Sequence, residues 1–291
     1  MLLEGSDEHS AILTGKTLSQ GFKTELIHLV PIIASLLFSI GCAHLLMVSR
    51  MELLSITPFQ EESPTGPVGN ALFFVLLVGF GAFTLFLLLK KGKFRLIVLV
   101  TGFALTSAVF LLSMVYFYAF SLIAVPLTTE VLIAGSAVIT AIAGYVFFGT
   151  RSRLGDFMVL LLGGALGALL GACIQTTSTV LILCLLAVYD TFAVYRGPVG
   201  KIARIGLEKF RGLSFSFKDI QMGLGDLTFY SMLAGHMLLY FGILPCLASI
   251  VGVLIGCLLA FKMLEHEGVF PGLPIPVFAG LVSGFLVAFV V

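Results

Sequence analysis

A series of long apolar runs divides this sequence, and these runs restrict the chain to a narrow set of folds. Several of them approach or exceed the roughly 18–20 apolar residues that an α-helix needs to cross a bilayer. Over the whole chain 59% of residues are hydrophobic and 11% are charged, whereas a soluble domain usually carries about 25% charge. The runs are continuous and do not alternate, which excludes a transmembrane β-barrel. The sequence therefore predicts an all-α, polytopic membrane protein.

Nine helical spans are predicted, separated by loops that are polar or rich in Gly and Pro. Residues 1–24 are predicted to be a polar N-terminal tail, and residues 25–291 a single transmembrane domain. The approximate bounds of the spans are 25–48, 68–89, 96–119, 130–149, 155–173, 177–195, 223–241, 243–263 and 272–291.

The distribution of Lys and Arg predicts the orientation of these spans, because cytoplasmic loops carry an excess of both residues. When nine spans alternate, fifteen of the 16 Lys and Arg residues fall on the side of the N-terminus, and Arg50 falls on the other. We therefore expect an integral, multi-pass protein of the cell membrane with a cytoplasmic N-terminus and an extracellular C-terminus. A wrong number of spans would normally scramble this asymmetry, so the asymmetry also supports nine.

Two aspartates stand within the apolar sequence and define a candidate site. Asp190 ends an apolar run in the sixth span, and Asp226 lies at the head of the seventh. A charged Asp near the middle of a membrane helix costs roughly 2.5–3.5 kcal/mol on insertion scales. Intramembrane acids are therefore candidates for a functional site.

The two aspartates are expected at the same depth in the membrane. Asp190 lies six residues before Arg196, which is about 9 Å from the end of its helix at about 1.5 Å per residue. Asp226 lies eight residues after Lys218, so it is at most about 12 Å from the same face. Because helices six and seven run in opposite directions, their carboxylates should lie level with each other, as a catalytic pair requires.

A pair of acids in this environment has a definite chemistry. Two carboxylates a few ångströms apart in a low dielectric cannot both ionise cheaply, so they tend to share one proton. The ionised member can take a proton from a bound water, while the protonated member polarises a peptide carbonyl and later protonates the leaving amine. We expect neither a metal nor a cofactor, and the sequence does not identify which aspartate is the base.

The motifs around the two acids carry a family resemblance. Tyr189-Asp190 is followed by Gly223-Leu-Gly-Asp226, which opens the next transmembrane helix. Together they resemble the paired motifs of the presenilin and signal peptide peptidase family of intramembrane aspartyl proteases. The resemblance covers the whole nine-helix layout, and the predicted orientation has the presenilin sense. The chain lacks long hydrophilic insertions and in this respect is similar to an archaeal presenilin homologue.

The resemblance implies the residues of the site. Asp190 and Asp226 would be the catalytic residues. A third family motif, Pro-Ala-Leu, stands at the start of the last helix, and this chain has Pro-Gly-Leu-Pro there, with Gly272 in place of alanine. The substrate-binding residues implied by the three motifs are Tyr189, Gly223, Leu224, Gly225, Pro271, Gly272, Leu273 and Pro274.

The resemblance also implies the reaction and its partners. We expect cleavage of single-span transmembrane proteins within the lipid bilayer, by a catalytic C-terminal part of about 177–291 joined to an N-terminal bundle of about 25–195. Presenilins are cut in their large loop between helices six and seven; here that loop is short, so we expect a single uncut chain. A homo-oligomer is compatible with the sequence. The net charge of +1 and the lack of a basic stripe give no indication of nucleic-acid binding.

Two other functions use similar residues. A cation or proton transporter or channel also needs intramembrane acids and helices broken by Gly and Pro. Against it, the sequence has no obvious inverted repeat, and its acids lie near one face of the membrane. A prepilin-peptidase-like protease shares the Gly-x-Gly-Asp element but usually has fewer spans. The transporter predicts ion flux without any cut peptide bond, whereas the protease predicts cleavage that is lost when either aspartate is replaced.

Two patterns concern the packing of the helices. Gly163, Gly167 and Gly171 recur at four-residue spacing, which predicts the close approach of another helix to helix five. His44 and His236 lie within spans and are expected to be buried, hydrogen-bonded residues, because neither has a second ligand at helical spacing.

Two patterns concern the loop between helices six and seven. Residues 199–210 are amphipathic with a basic face, which predicts a position in the cytoplasmic interface. Residues 213–217 alternate with period two, which predicts a strand. We hypothesise that this strand pairs with an unwound substrate, because proteolysis requires an extended backbone.

Overall fold

Nine α-helices lie within the described part of the chain, in the order predicted from the apolar runs. The predicted amphipathic segment and nearly all of the predicted N-terminal tail lie outside that part. The computed structural model describes residues 23–149, 153–195, 214–217, 220–267 and 270–291. One turn of 3-10 helix, Leu26–Leu29, precedes α1 (Val30–Ser49), α2 (Gly66–Lys90), α3 (Phe94–Ile123), α4 (Thr129–Gly149), α5 (Arg153–Cys173), α6 (Thr176–Tyr195), α7 (Leu224–Phe241), α8 (Ile243–Glu267) and α9 (Pro274–Ala288).

Most of these helices have the length and composition of membrane spans. Seven qualify, namely α1 to α6 and α8, while α7 and α9 have 18 and 15 residues. Large apolar side chains cover the outer surface; Phe80 and Phe103, for example, are 70% and 74% exposed. Extensive apolar surface of this kind faces lipid in a membrane protein. The prediction of a nine-helix, all-α, multi-pass membrane protein is confirmed.

A two-stranded antiparallel hairpin precedes α7. Its strands are β1 (Ser214–Phe217) and β2 (Ile220–Gly223), with Ser214 opposite Gly223. The strand predicted from the period-two pattern is therefore confirmed, and its partner within the chain is β2. Because β2 ends at the residue before α7, the hairpin leads directly into the helix that carries Asp226.

The helix α7 lies at the centre of the bundle. Residues 230–238 are all buried, and the helix packs against α1, α5, α8 and α9. A helix that is apolar or small on every side is suited to such a position. The surrounding helices therefore fix α7, and with it the depth of Asp226.

The small residues of α5 allow α7 to approach closely, as their spacing predicted. A Cβ added at Gly167 would lie 2.7 Å from the backbone nitrogen of Met232, and one at Gly171 would lie 2.8 Å from that of His236. A Cβ at Gly163 would lie 3.0 Å from the side chain of the neighbouring helix. The three glycines therefore set the distance between α5 and α7.

Serine hydroxyls connect α1 to both of these helices. The Ser35 hydroxyl donates to the carbonyl of Leu160 at 3.0 Å, and the Ser39 hydroxyl donates to the carbonyl of Ser231 at 3.0 Å. Hydrogen bonds between membrane helices contribute on the order of 0.6–2 kcal/mol each. They add a directional restraint to the glycine packing of α5 against α7.

The two histidines within spans differ in their environment. His236 is buried, with Nδ1 2.8 Å from the carbonyl oxygen of Gly171 and Nε2 3.0 Å from the hydroxyl of Thr176, so its predicted role is confirmed. His44 is exposed on α1, and the expectation that it is buried was wrong. The reason is the rotation of α1, which buries the face that contains Ala43 and turns His44 outward.

A remote carboxylate caps the first turn of α6. Glu61, in the loop between α1 and α2, accepts the backbone N–H of Ser178 at 2.9 Å and its hydroxyl at 2.5 Å. Asn70 donates to the same hydroxyl oxygen at 2.9 Å. A carboxylate at a helix N-terminus satisfies a free backbone donor and interacts favourably with the helix dipole. The end of α6 that lies away from Asp190 is thereby fixed.

Glycines on α8 and α9 bring α9 close to the centre of the helix bundle. A Cβ added at Gly256 would lie 2.5 Å from the Cα of Pro276, near the start of α9. A Cβ at Gly280 of α9 would lie 2.8 Å from the side chain of Leu233 on α7. This packing holds the segment before α9 against the helices that carry the acids.

Candidate active site

Asp190 is joined to the start of α9. It lies on α6, five residues before the helix ends at Tyr195, and it is partly buried. Its Oδ2 accepts the backbone N–H of Leu273 at 3.0 Å, across 83 residues of sequence. Leu273 is the N-cap residue of α9, so this hydrogen bond connects α6 with the last helix.

Asp226 is positioned by the local structure at the start of α7. It is the third residue of the helix, and Gly223 is the N-cap, with an extended backbone (φ −75°, ψ 147°). A Cβ added at Gly223 would lie 3.9 Å from Oδ2 of Asp226, so the carboxylate lies close to the N-cap. An acidic residue in the first turn interacts favourably with the helix dipole. The local sequence therefore contributes to the position of this carboxylate.

The two carboxylates meet beside the backbone of Gly272 and Leu273. A Cβ added to Gly272 would lie 2.9 Å from Oδ2 of Asp226, and the next N–H along the chain donates to Asp190. Asp190 and Asp226 interact electrostatically with each other. The structure thus brings together acids from two consecutive antiparallel helices, as their predicted depth requires.

The Pro-Gly-Leu-Pro segment contributes to this arrangement in three ways. Gly272 and Leu273 contact the two carboxylates directly. Pro271 is buried and lines a cavity beside Asp226. Pro274 begins α9, where its missing N–H costs no intrahelical hydrogen bond.

The other predicted substrate-binding residues have different surroundings. The ring of Tyr189 lies against α2, where a Cβ added to Gly79 would be 3.6 Å from Cε2 of the tyrosine. The side chain of Leu224 packs towards α5. Gly225 is exposed and Gly223 is partly buried. The two side chains therefore contact neighbouring helices, while the glycines leave the start of α7 accessible to another backbone.

A small cavity of about 80 Å³ lies beside Asp226. A cavity of roughly 15 Å³ already holds one water molecule, so there is space for water next to the carboxylate. The residues that line it are Met222, Asp226, Tyr230, Cys257, Ala260, Phe261, Leu264, Phe270, Pro271 and Gly272.

A larger cavity of about 740 Å³ lies between α1, α3, α4 and α5, and neither aspartate lines it. Its walls are almost entirely apolar, and its Tyr116 hydroxyl donates to the carbonyl of Ala165 at 2.7 Å. A crevice without converging charged groups in a lipid-exposed bundle is suited to acyl chains, and it does not contribute to the site.

Tyr230 is a residue of the site that the sequence analysis missed. Its hydroxyl donates to the carbonyl of Gly272 at 2.7 Å, and its side chain is 1% exposed. A signal was present, because Tyr230 follows Asp226 by four residues and so lies on the same face of α7. A buried phenol also requires a hydrogen-bond partner. The partner could not be predicted, because it is a backbone carbonyl from a distant loop.

Comparisons with known proteins identify the family of this chain. A family model described as signal-peptide peptidase, presenilin aspartyl protease matches residues 34–200, more than half of the chain. Two solved structures of a presenilin family intramembrane aspartate protease are similar to this chain, and each alignment covers 90% of it. The structure in space group C222 has 21% identity, a TM-score of 0.65 and 99% of its chain covered; the one in P2 has 25%, 0.62 and 97%. A comparison with curated proteins gave no significant match.

The family match covers nearly all of α1 to α6 and includes Asp190. The two solved structures share the fold over most of the remaining chain. The resemblance predicted from the motifs around the two acids is therefore confirmed. This multi-pass membrane chain belongs to the signal-peptide peptidase and presenilin family of aspartyl proteases, and it is an intramembrane aspartic endopeptidase.

Proposed function

We propose that Asp190 and Asp226 are the catalytic pair of this protease and that its substrates are single-span transmembrane proteins. The observation that supports the pair is the contact of both carboxylates with one backbone segment. Leu273 donates its N–H to Asp190 at 3.0 Å, and Gly272 lies directly against Asp226. Two acids placed together inside a membrane bundle are energetically costly, and such residues are retained mainly at functional sites.

The proposed reaction uses one water and one shared proton. One carboxylate takes a proton from the water while the other, protonated, donates a hydrogen bond to the scissile carbonyl. The water oxygen bonds to the carbonyl carbon as the protonated aspartate transfers its proton to the carbonyl oxygen, which forms a tetrahedral diol. As the C–N bond breaks, the aspartate that took the water proton gives it to the leaving amine, and the other aspartate takes a proton from a diol hydroxyl as the new carboxyl group forms. The pair ends with the number of protons it began with, so the cycle requires no metal.

The substrate is proposed to bind as an extended chain beside the start of α7. In the two-stranded sheet, each strand has one edge turned away from its partner. A substrate added along such an edge satisfies the backbone groups that unwinding of a helix exposes. Gly223, Leu224 and Gly225 would then lie next to the scissile bond, with Tyr189 and residues 271–274 completing the binding site.

The orientation in the membrane is proposed from charge. Fifteen of the 16 Lys and Arg residues fall on one side when the nine helices alternate. Because positive residues are retained on the cytoplasmic side, the N-terminus is assigned to the cytoplasm and the C-terminus to the exterior.

The test of the catalytic pair is a cleavage assay with the full chain in liposomes and a labelled single-span peptide. Asp190→Asn and Asp226→Asn should each reduce cleavage to background, because either variant removes a member of the proton-sharing pair while keeping the size of the side chain. The products are read by mass, which also identifies the cleaved bond.

The matched control is Glu130→Gln, which neutralises an exposed acid in the first turn of α4. It should cleave at the rate of the unchanged protein. Full cleavage by either Asp→Asn variant would refute the proposed pair. Ion flux through the liposomes without any cut peptide would instead favour the transporter.

A further inference from the structure

One peptide unit connects the two helices that carry the acids. Its carbonyl, that of Gly272, accepts the hydroxyl of Tyr230 at 2.7 Å. Its N–H, that of Leu273, donates to Oδ2 of Asp190 at 3.0 Å. Tyr230 stands on α7 and Asp190 on α6, so the peptide bridges these helices.

The planarity of the peptide couples its two hydrogen bonds. In a trans unit the C=O and N–H groups are coplanar and point in opposite directions, and the described residues contain no cis peptide bond. A rotation that breaks the bond to Tyr230 therefore also turns the N–H of Leu273 away from Asp190. Because hydrogen bonds weaken steeply as their angle closes, such a rotation loosens the Asp190 carboxylate.

Tyr230 is itself held firmly. Its side chain is 1% exposed, and together with Cys257 of α8 it lines the small cavity beside Asp226. It follows Asp226 by about one helical turn, on the same face of α7. A side chain locked by packing and hydrogen bonds can fix the position of a neighbouring group.

We infer that Tyr230 is a positioning residue of the protease reaction. Its hydroxyl orients the Gly272–Leu273 peptide, and the N–H of that peptide holds the Asp190 carboxylate beside Asp226. The inference rests on the proposed catalytic role of the two aspartates and adds a residue that acts through the backbone between them. The same peptide segment lies against Asp226, so it sets the relative placement of both acids.

Removal of the hydroxyl should lower kcat and leave KM nearly unchanged. The hydroxyl is engaged by groups of the protein, so its loss displaces Asp190 without removing a contact to the substrate. A displacement of well under an ångström in a catalytic group costs on the order of tenfold in rate.

The test compares Tyr230→Phe with Tyr116→Phe in the full chain, in liposomes, with the labelled single-span peptide. Tyr116 is the matched control because its hydroxyl also donates to a backbone carbonyl at 2.7 Å, outside the site. Both variants lose one hydroxyl and one hydrogen bond, so a general effect on stability should reach both. We expect kcat to fall about tenfold in Tyr230→Phe and to stay constant in Tyr116→Phe, with KM within about twofold in each.

A second measurement uses an uncleavable peptide that carries a hydroxyl-bearing tetrahedral carbon at the position of the scissile carbonyl. Because such an analogue resembles the transition state, its Kd should rise in Tyr230→Phe by the factor by which kcat falls. An unchanged kcat in Tyr230→Phe overturns the inference, and so does a raised KM with constant kcat.

If Tyr230→Phe does not fold, 4-aminophenylalanine in place of Tyr230 supplies a ring-borne N–H donor. A kcat near that of the unchanged protein then supports the inference, and a tenfold loss overturns it. Asp190→Asn and Asp226→Asn are assayed in parallel. If they cleave, the proposed catalytic pair fails; if they are inactive while Tyr230→Phe is fully active, only the positioning role fails.

Discussion

At the residue scale, Gly272 shows how this chain departs from the Pro-Ala-Leu motif of the family it resembles. An added Cβ at this position would lie 2.9 Å from Oδ2 and 3.2 Å from Cγ of Asp226. Carbon atoms do not approach a carboxylate that closely without a shift of one of them. The glycine at 272 and the position of the Asp226 carboxylate therefore depend on each other.

Gly272→Ala should reduce cleavage without loss of stability. The new methyl group displaces the Asp226 carboxylate, which should lower kcat on the order of tenfold. At the same time, alanine restricts the unfolded chain and contributes about 0.4–1 kcal/mol of stability where the backbone accepts it. Kinetics in liposomes and the Tm in detergent measure the two effects separately.

The control for this substitution is Gly81→Ala, since an added Cβ there meets no atom within 4 Å among the described residues. It should leave kcat unchanged. If Gly272→Ala cleaves as fast as the unchanged protein, the contact with Asp226 is not important for the reaction.

The site was predictable from the sequence only in part, and the reason lies in these residues. Asp190 and Asp226 could be placed at one depth because charged residues mark the ends of their helices, and the rise per residue then gives the distance of each aspartate from that end. Their contacts with Gly272 and Leu273 could be expected only from the family motif. The hydrogen bond from Tyr230 could not, because a backbone acceptor leaves no pattern in the sequence.

At the scale of elements, the interface between α5 and α7 determines where Asp226 lies. The spacing of Gly163, Gly167 and Gly171 predicted that some helix approaches α5. It could not predict that the helix is α7, because a glycine face specifies closeness and not the identity of its partner. The hydrogen bonds of the α1 serines could not be predicted either, since no sequence pattern identifies the carbonyl or hydroxyl that each serine contacts.

Gly167→Ala should destabilise the protein because the added methyl meets the backbone of α7. Overpacking of this kind costs typically 1–3 kcal/mol. Gly41→Ala on α1 is the matched control, because a Cβ there meets no atom within 4 Å in the described part of the chain. Alanine at that position should gain up to about 1 kcal/mol in helix propensity.

Thermal unfolding in detergent measures both variants. The expected result is a lower Tm for Gly167→Ala and an equal or higher Tm for Gly41→Ala. A Tm for Gly167→Ala that matches the control would show that α5 and α7 can separate without cost.

At the scale of the whole molecule, the bilayer explains why the architecture could be predicted. A chain in lipid must satisfy its backbone groups within each segment, so long apolar runs become helices. The central position of α7 could not be predicted from hydropathy, because its 18 residues include large apolar side chains of the same kind as those of the helices that face lipid. Its burial follows instead from its packing against α1, α5, α8 and α9, which an apolar run does not specify.

The orientation proposed for the molecule predicts a labelling pattern. In a chain whose five cysteines are replaced, Ser55→Cys in the loop between α1 and α2 should react with a membrane-impermeant maleimide on intact cells. Ser6→Cys should react only after the membrane is permeabilised, because the positive segments remain in the cytoplasm. The opposite pattern would reverse the assignment of the two termini, and retained cleavage activity is the control for folding.

The two ties on α6 have a mechanical consequence. Glu61 accepts a hydrogen bond from the first turn of α6, and Leu273 donates one to Asp190 near the other end of this helix. A helix is stiff over this length, and Ser178 and Asp190 are only about 18 Å apart at about 1.5 Å per residue. A displacement of the loop between α1 and α2 is thus transmitted through α6 to the Asp190 carboxylate, although this loop does not contact the carboxylate.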